Sequence, residues 1–255
     1  MALLEMQWFL QRVMGMASAA DELEDSEYHF LDNREFDEDE GDISNLGLDE
    51  EKVEYDYTSS IEETSDHEVR AQFNTNVFGP LSVIRSVLPF MRAKRSGVIA
   101  NIGSLGGYAS FAGSGYYCSS KFALAGLTES LRAEVGPLGI QATVIEPVYF
   151  RTSLLQADID GKTVAAASID AYKSTMERVK GQMDSYDGKQ PGDPALGAQI
   201  IVEALTGTGR AAGKTLPARL LLGSDSVPFV AIILERQNKE VDEWKGLVVT
   251  TDHAQ

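Results

Sequence analysis

Ser104, Tyr117 and Lys121 are the residues whose types and spacing could perform chemistry together. A free tyrosine gives up its proton near pH ~10 and is a poor acid or base at neutrality. A lysine ammonium within a few ångström favours the phenolate and draws that pKa toward working pH. Tyr117 and Lys121 stand four residues apart, so one face of a helix presents both. A serine hydroxyl can hold a substrate oxygen while the phenol gives or takes the proton. The set suits proton transfer at an alcohol or ketone. It supplies no hydride, so a cofactor must.

The elements that must position these residues can be read around them. Val98, Ile99, Ala100 and Ile102 form a short apolar run ending in a Gly/Ser-rich turn, which predicts a buried parallel strand over 97–103. Ser104 falls just past its carboxyl end, where open α/β sheets place their ligands. Tyr116, Phe122, Leu124, Leu127, Leu131 and Val135 predict a helix over 116–136. Upstream, Ser65-Asp-His-Glu68 is a capping box. It opens a helix over 66–92 carrying Val69, Phe73, Val77, Leu81, Ile84, Leu88 and Met91. Pro80 lies inside that helix and has no N–H, so the carbonyl four residues earlier, on Asn76, loses its helical partner and a kink is expected. Ile140 to Ile145 predicts a second buried strand, followed by Glu146-Pro147-Val148-Tyr149-Phe150-Arg151-Thr152. Polar, partly helical sequence follows as far as Pro194. Then come a helix over 195–205, a strand over 216–222 and a helix over 226–244.

Taken together, these residues resemble the short-chain dehydrogenase/reductase family. Its Tyr-x-x-x-Lys matches Tyr117 and Lys121, and its serine, thirteen residues before the tyrosine, matches Ser104. Asn76-Val77-Phe78-Gly79 matches its helix asparagine. The resemblance covers 60–252 and implies an α/β fold, a partial Rossmann-like doubly wound parallel sheet truncated at its amino-terminal half. It implies an oxidoreductase using NAD or NADP on a small alcohol or ketone. Tyr117 would be the acid/base, Lys121 its electrostatic partner and ribose anchor, and Ser104 the donor to the substrate oxygen. Asn76 would hold a relay water through its main-chain carbonyl. Pro147 and Thr152 would contact the nicotinamide, although Val148 stands where the family has glycine. Helices 66–92 and 116–136 would pack against a second copy in a homodimer.

A dinucleotide needs a glycine-rich turn before a helix N-terminus, where backbone N–H groups meet the pyrophosphate. Before residue 76 the glycines are Gly15, Gly41 and Gly47, none of them clustered. The family's Asn-Asn-Ala-Gly is absent, Ser44-Asn45-Leu46-Gly47 being at best a remnant. The sequence thus leads one to expect that the first βαβ units are lacking and that NAD(P) binds weakly or not at all. A non-catalytic binding or dimerising protein stands beside the enzyme as a second reading. Substrate identity and the choice between NAD and NADP are not legible.

Charge divides the chain. Of a net −17, residues 21–56 carry −15, with 17 acidic residues against Arg34 and Lys52. We expect residues 1–57 to be an acidic, disordered segment outside the family and 58–255 to be one α/β domain. The acidity repels phosphates and argues against nucleic acid. The apolar stretch 1–18 is interrupted by Glu5 and Arg12, is too short to span a bilayer and makes a poor leader peptide. It reads as an amphipathic helix. Val53, Tyr55 and Tyr57 alternate, which predicts that 52–58 add a strand beside 97–103 and cover its open edge. The single Cys118 excludes an internal disulfide and fits a reducing, cytoplasmic compartment. His29, His67 and His253 all lie outside the motif region, so a histidine triad or zinc site has poor support. The glycines of 207–213 miss the phosphate-loop spacing before Lys214, and that stretch reads as a surface turn.

Overall fold

The computed structural model describes residues 59–152 and 168–253. The amphipathic stretch 1–18, the acidic segment 21–56 and the predicted strand 52–58 lie outside the described residues. In chain order the elements are α1 (Asp66–Phe73), a π-helical turn (Asn74–Phe78), α2 (Gly79–Lys94) and β1 (Gly97–Ile102). A 3-10 turn (Leu105–Gly107), α3 (Gly115–Val135) and β2 (Ile140–Pro147) follow. The chain then runs through α4 (Asp170–Tyr186), α5 (Pro194–Thr206), β3 (Arg219–Leu222) and α6 (Ser226–Val248).

The three strands form a parallel sheet in the order β1-β2-β3. Parallel neighbours need crossovers, which α3 supplies between β1 and β2, and α4 with α5 between β2 and β3. Side chains alternate across a strand, so the two faces collect different helices. On one face Ile99, Ile140 and Ala142 pack with Ile84 of α2 and Val135 of α3. On the other, Ile145 and Leu222 pack with Ala198 and Ile201 of α5, joined by Ala100 and Ile102. Both faces of the middle of β2 are covered, so Ala142 to Glu146 are buried without a break, Thr143 and Glu146 among them.

The capping box forms as its residues dictate. Ser65 Oγ accepts from the Glu68 N–H at 3.3 Å, and the Glu68 carboxylate accepts from the Ser65 N–H at 2.6 Å. Removing that cap with Ser65→Ala is expected to destabilise the fold by ~1 kcal/mol, read as a lower urea midpoint at unchanged slope. The single kinked helix expected over 66–92 is instead two helices joined by a wide turn. There the Gly79 N–H reaches back five residues, to the Asn74 carbonyl. Widening the turn relieves the clash between the Pro80 ring and the carbonyl four residues before it, and Pro80 falls in the first turn of α2, where its missing N–H is no loss. β3 starts at Arg219, later than the apolar run suggests, because Pro217 cannot donate to a strand ladder. Residues 209–211 form a short exposed turn between α5 and β3.

Candidate active site

Ile102 faces Ile145 in the β1–β2 register, so Ser104 and Pro147, each two residues further on, leave the sheet at the same end. The Gly103 N–H extends the ladder by one bond, to the Ile145 carbonyl at 2.7 Å. A β-carbon on Gly103 would lie 2.6 Å from Val144 Cγ2, so the close approach of the strands requires glycine there. Ser104 then turns the chain, its Oγ accepting from the Gly106 N–H at 3.1 Å. That bond fixes the oxygen and leaves the hydroxyl proton to donate.

The turn packs directly on α3. A β-carbon at Gly106 would stand 3.3 Å from Tyr117 Cε1 and 3.2 Å from Cys118 Sγ, so the Tyr117 ring lies against the loop that carries Ser104. Lys121 lies one helical turn further along, 8% exposed. Its Nζ donates to the Ile102 carbonyl at 3.0 Å and stands 5.6 Å from the centroid of the Tyr117 ring. Burial draws the ammonium down from 10.5 to about 8, which keeps most of the charge at neutral pH. Burial likewise pushes the Cys118 thiol up, against what a thiolate nucleophile needs.

Asn76 reaches the same helix from the π turn. Its Nδ2 donates to Ser120 Oγ at 2.9 Å, and Ser120 Oγ donates to the Tyr117 carbonyl at 2.7 Å. The structure thus brings Asn76, Ser104, Tyr117 and Lys121 together around the first turns of α3. Ser120, fully buried between the tyrosine and the lysine, was missed by sequence reasoning. A small hydroxyl four residues before Leu124, on the same face of the helix as that apolar position, is the signal that marks it. A second buried bond, Asn101 Nδ2 to Thr128 Oγ1 at 2.9 Å, ties β1 to the middle of α3.

Pro147 ends β2, opposite Leu222, and Thr152 lies on the loop beyond it. That loop is stitched down by Val148 N–H to the Leu222 carbonyl at 3.1 Å, Gly192 N–H to the Tyr149 carbonyl at 3.0 Å, and Arg151 N–H to the Gly192 carbonyl at 2.9 Å. Val148, in the place of the expected glycine, has its β-carbon 3.6 Å from where one on Gly223 would lie, an ordinary contact, so the start of the loop packs against the turn just past β3. Tyr149 and Tyr186 meet edge to face at 4.7 Å above this loop, and burial raises the Tyr149 phenol further from neutrality. Among the described residues no group of His, Cys, Asp and Glu could hold a metal ion, and no helix is long and apolar enough to cross a membrane.

The arrangement offers a phenol, a buried ammonium and a serine hydroxyl at the carboxyl end of a parallel sheet, where proton transfer at a carbonyl or carbinol oxygen is the chemistry available. Comparison with known proteins agrees. The sequence profile of the short chain dehydrogenase family matches residues 44–163. A short-chain dehydrogenase of Streptomyces avermitilis, known from its crystal structure, is 37% identical, with a TM-score of 0.64 over 76% of this chain and 67% of that one. An uncharacterized oxidoreductase of Bacillus subtilis is 34% identical over 150 residues, 59% of this chain and 53% of that protein. A short chain dehydrogenase/reductase of Burkholderia phymatum, solved in complex with NAD, shares the fold with a TM-score of 0.54 at 21% identity, over 73% of this chain and 62% of that one. The chain spans about half to two thirds of the length of these relatives. With the motif residues assembled in one place and these likenesses beside them, the chain belongs to the short-chain dehydrogenase family.

Proposed function

We propose that the protein is an NAD(P)-dependent oxidoreductase that interconverts a small alcohol and its ketone. The observation that carries this reading is the Lys121 ammonium, buried 5.6 Å from the Tyr117 ring while the Ser104 turn packs on the same ring. A nicotinamide cofactor, when bound, supplies or accepts the hydride. Tyr117 then gives the proton to the oxygen of a ketone, or takes it from an alcohol. The positive charge of Lys121 favours the phenolate on one side of that transfer. Ser104 donates to the same oxygen and orients it, since its own oxygen is already fixed by Gly106. Asn76, acting through Ser120, holds the carbonyl of Tyr117 and with it the axial position of the acid.

The nicotinamide end of the cofactor suits Tyr117, Lys121, Pro147 and Thr152, which sit on α3, at the end of β2 and on the loop that follows it. Phe78 and Phe90 on one helical arm, and Phe122 and Leu127 on α3, are exposed, as a surface that pairs with a second copy would be. Turnover of a panel of secondary alcohols and ketones, read by nicotinamide absorbance, tests the activity. An inert panel with both nucleotides, under conditions where each is bound, would refute it. A separate expectation concerns affinity. Because the sequence before Asn76 holds no glycine cluster for a pyrophosphate, fluorescence titration should show NADH and NADPH binding weaker than about 10 μM, that is, less than about 7 kcal/mol. Low-micromolar binding of either nucleotide would show that another part of the chain supplies the phosphate site.

A further inference from the structure

We propose that the buried ion pair of Glu146 and Arg219 is a clamp that holds the Ser104 turn and the loop beyond β2 in one register. The inference rests on the oxidoreductase reading of the site and deepens it. It makes both residues positioning residues rather than catalytic ones.

Glu146 is the next-to-last residue of β2 and is fully buried. Arg219 opens β3 and faces Val144 across the ladder. Its Nε lies 3.1 and 2.9 Å from the two carboxylate oxygens of Glu146, and its Nη2 donates to Oε1 of the same group. The same Nη2 also donates to the Gly107 carbonyl at 3.0 Å, and the guanidinium lies 3.7 Å over the Tyr108 ring. Gly107 and Tyr108 close the turn that Ser104 opens. One guanidinium therefore touches the turn three residues from Ser104 and, through Glu146, grips the strand end that launches Pro147.

Gly107 shows how tight this junction is. A β-carbon there would stand 3.2 Å from both Arg219 Nη2 and Glu146 Oε1. A fixed planar fork can serve two carboxylate oxygens and a carbonyl at once, which a lysine ammonium on a flexible stem does not reproduce. A buried ion pair rarely returns its desolvation cost as net stability, and apolar residues of like volume often stabilise more. Stability alone is thus a poor reason for this pair, whereas joining two loops of one site is a sufficient one.

The test uses the full chain and three variants. Arg219→Lys keeps the charge and loses the fork. Glu146→Leu combined with Arg219→Met keeps the volume and removes both charges, so it covers the case in which Arg219→Lys fails to fold. Glu129→Gln removes the half-exposed carboxylate 3.7 Å from Arg219 Nη1 and serves as the control. Hydrogen exchange is read at the Gly106, Gly107 and Tyr108 amides, which bond to Ser104 Oγ, the Ser104 carbonyl and the Leu105 carbonyl. In the first two variants these amides should exchange about tenfold faster or more, while those of β2 and α3 keep their protection. The control should match the parent. In an active preparation kcat should fall about tenfold or more with KM within about threefold, as misplacement of a reacting group predicts. Unchanged turn amides, or a uniform rise across all amides, would overturn the clamp. If the parent shows no turnover the oxidoreductase reading fails, and the exchange data still decide this one.

Discussion

Tyr117→Phe is expected to lower turnover by ~10²–10⁴-fold or more and to leave the fold as it is, because the change removes a single oxygen from the group proposed as acid and base. The ring itself keeps its place. It packs against Gly106, with 3.3 Å between Cε1 and the position a β-carbon would occupy, and that contact needs no hydroxyl. Tyr117 also stays anchored through its main chain, since Ser120 Oγ donates to its carbonyl at 2.7 Å. The loss should therefore fall on kcat rather than on KM, with an unchanged unfolding midpoint. Neighbouring phenols do not substitute: burial raises both Tyr108 and Tyr149, away from the range in which a proton moves at neutrality. Steady-state kinetics on the variant decide the matter. A variant retaining most of its activity would mean that the proton comes from elsewhere.

Lys121→Met should stabilise the fold near neutrality while removing the charge that the proposed function sets beside Tyr117. Folding takes the ammonium from 10.5 to about 8 through burial. Below that lower value both folded and unfolded chains hold the proton, and the native state carries the whole cost of a buried charge. Between the two values the unfolded chain binds the proton that the native state has released, so native stability rises with pH, and above 10.5 the gain is complete. A displacement of this size corresponds to ~3 kcal/mol. The bond from Nζ to the Ile102 carbonyl at 3.0 Å offsets some of it, ~1 kcal/mol. The variant should therefore be more stable by ~2 kcal/mol at neutral pH. Its advantage should shrink as pH rises through the interval. Urea unfolding of both proteins across that range supplies the measurement, and the difference between the two curves isolates this lysine from other groups that titrate there. Parallel curves would mean that Lys121 is not buried as a cation.

Much of the site was legible because it is local. The strand before Ser104, the four-residue spacing of Tyr117 and Lys121 and the capping box at Ser65 are all set by neighbours in sequence. Their periodicity carries the information. Asn76 was found through Pro80, but the outcome differed in kind. A proline that kinks an α-helix and one that stands beside a wider turn share one local sequence, and only packing against α3, through Ser120, separates them. The clamp was illegible for another reason. Glu146 and Arg219 are 73 residues apart, and each alone reads as an ordinary charge beside an apolar strand. Their meeting depends on β2 and β3 being neighbours, which sheet order decides. The expected strand at 52–58 lies outside the described residues, as does the acidic segment before it.

The wide turn at Asn74–Phe78 has a consequence for how this helix can change over generations. Such a turn holds one residue more than a regular helix of the same length. Deleting one residue there would restore regular spacing, yet it would set the Pro80 ring against a helical carbonyl at a cost of ~3 kcal/mol or more. Replacing Pro80 alone would leave the surplus residue in place. The proline therefore guards the wide turn: while Pro80 stands, the surplus residue is costly to lose, and the spacing that brings Asn76 to Ser120 is kept.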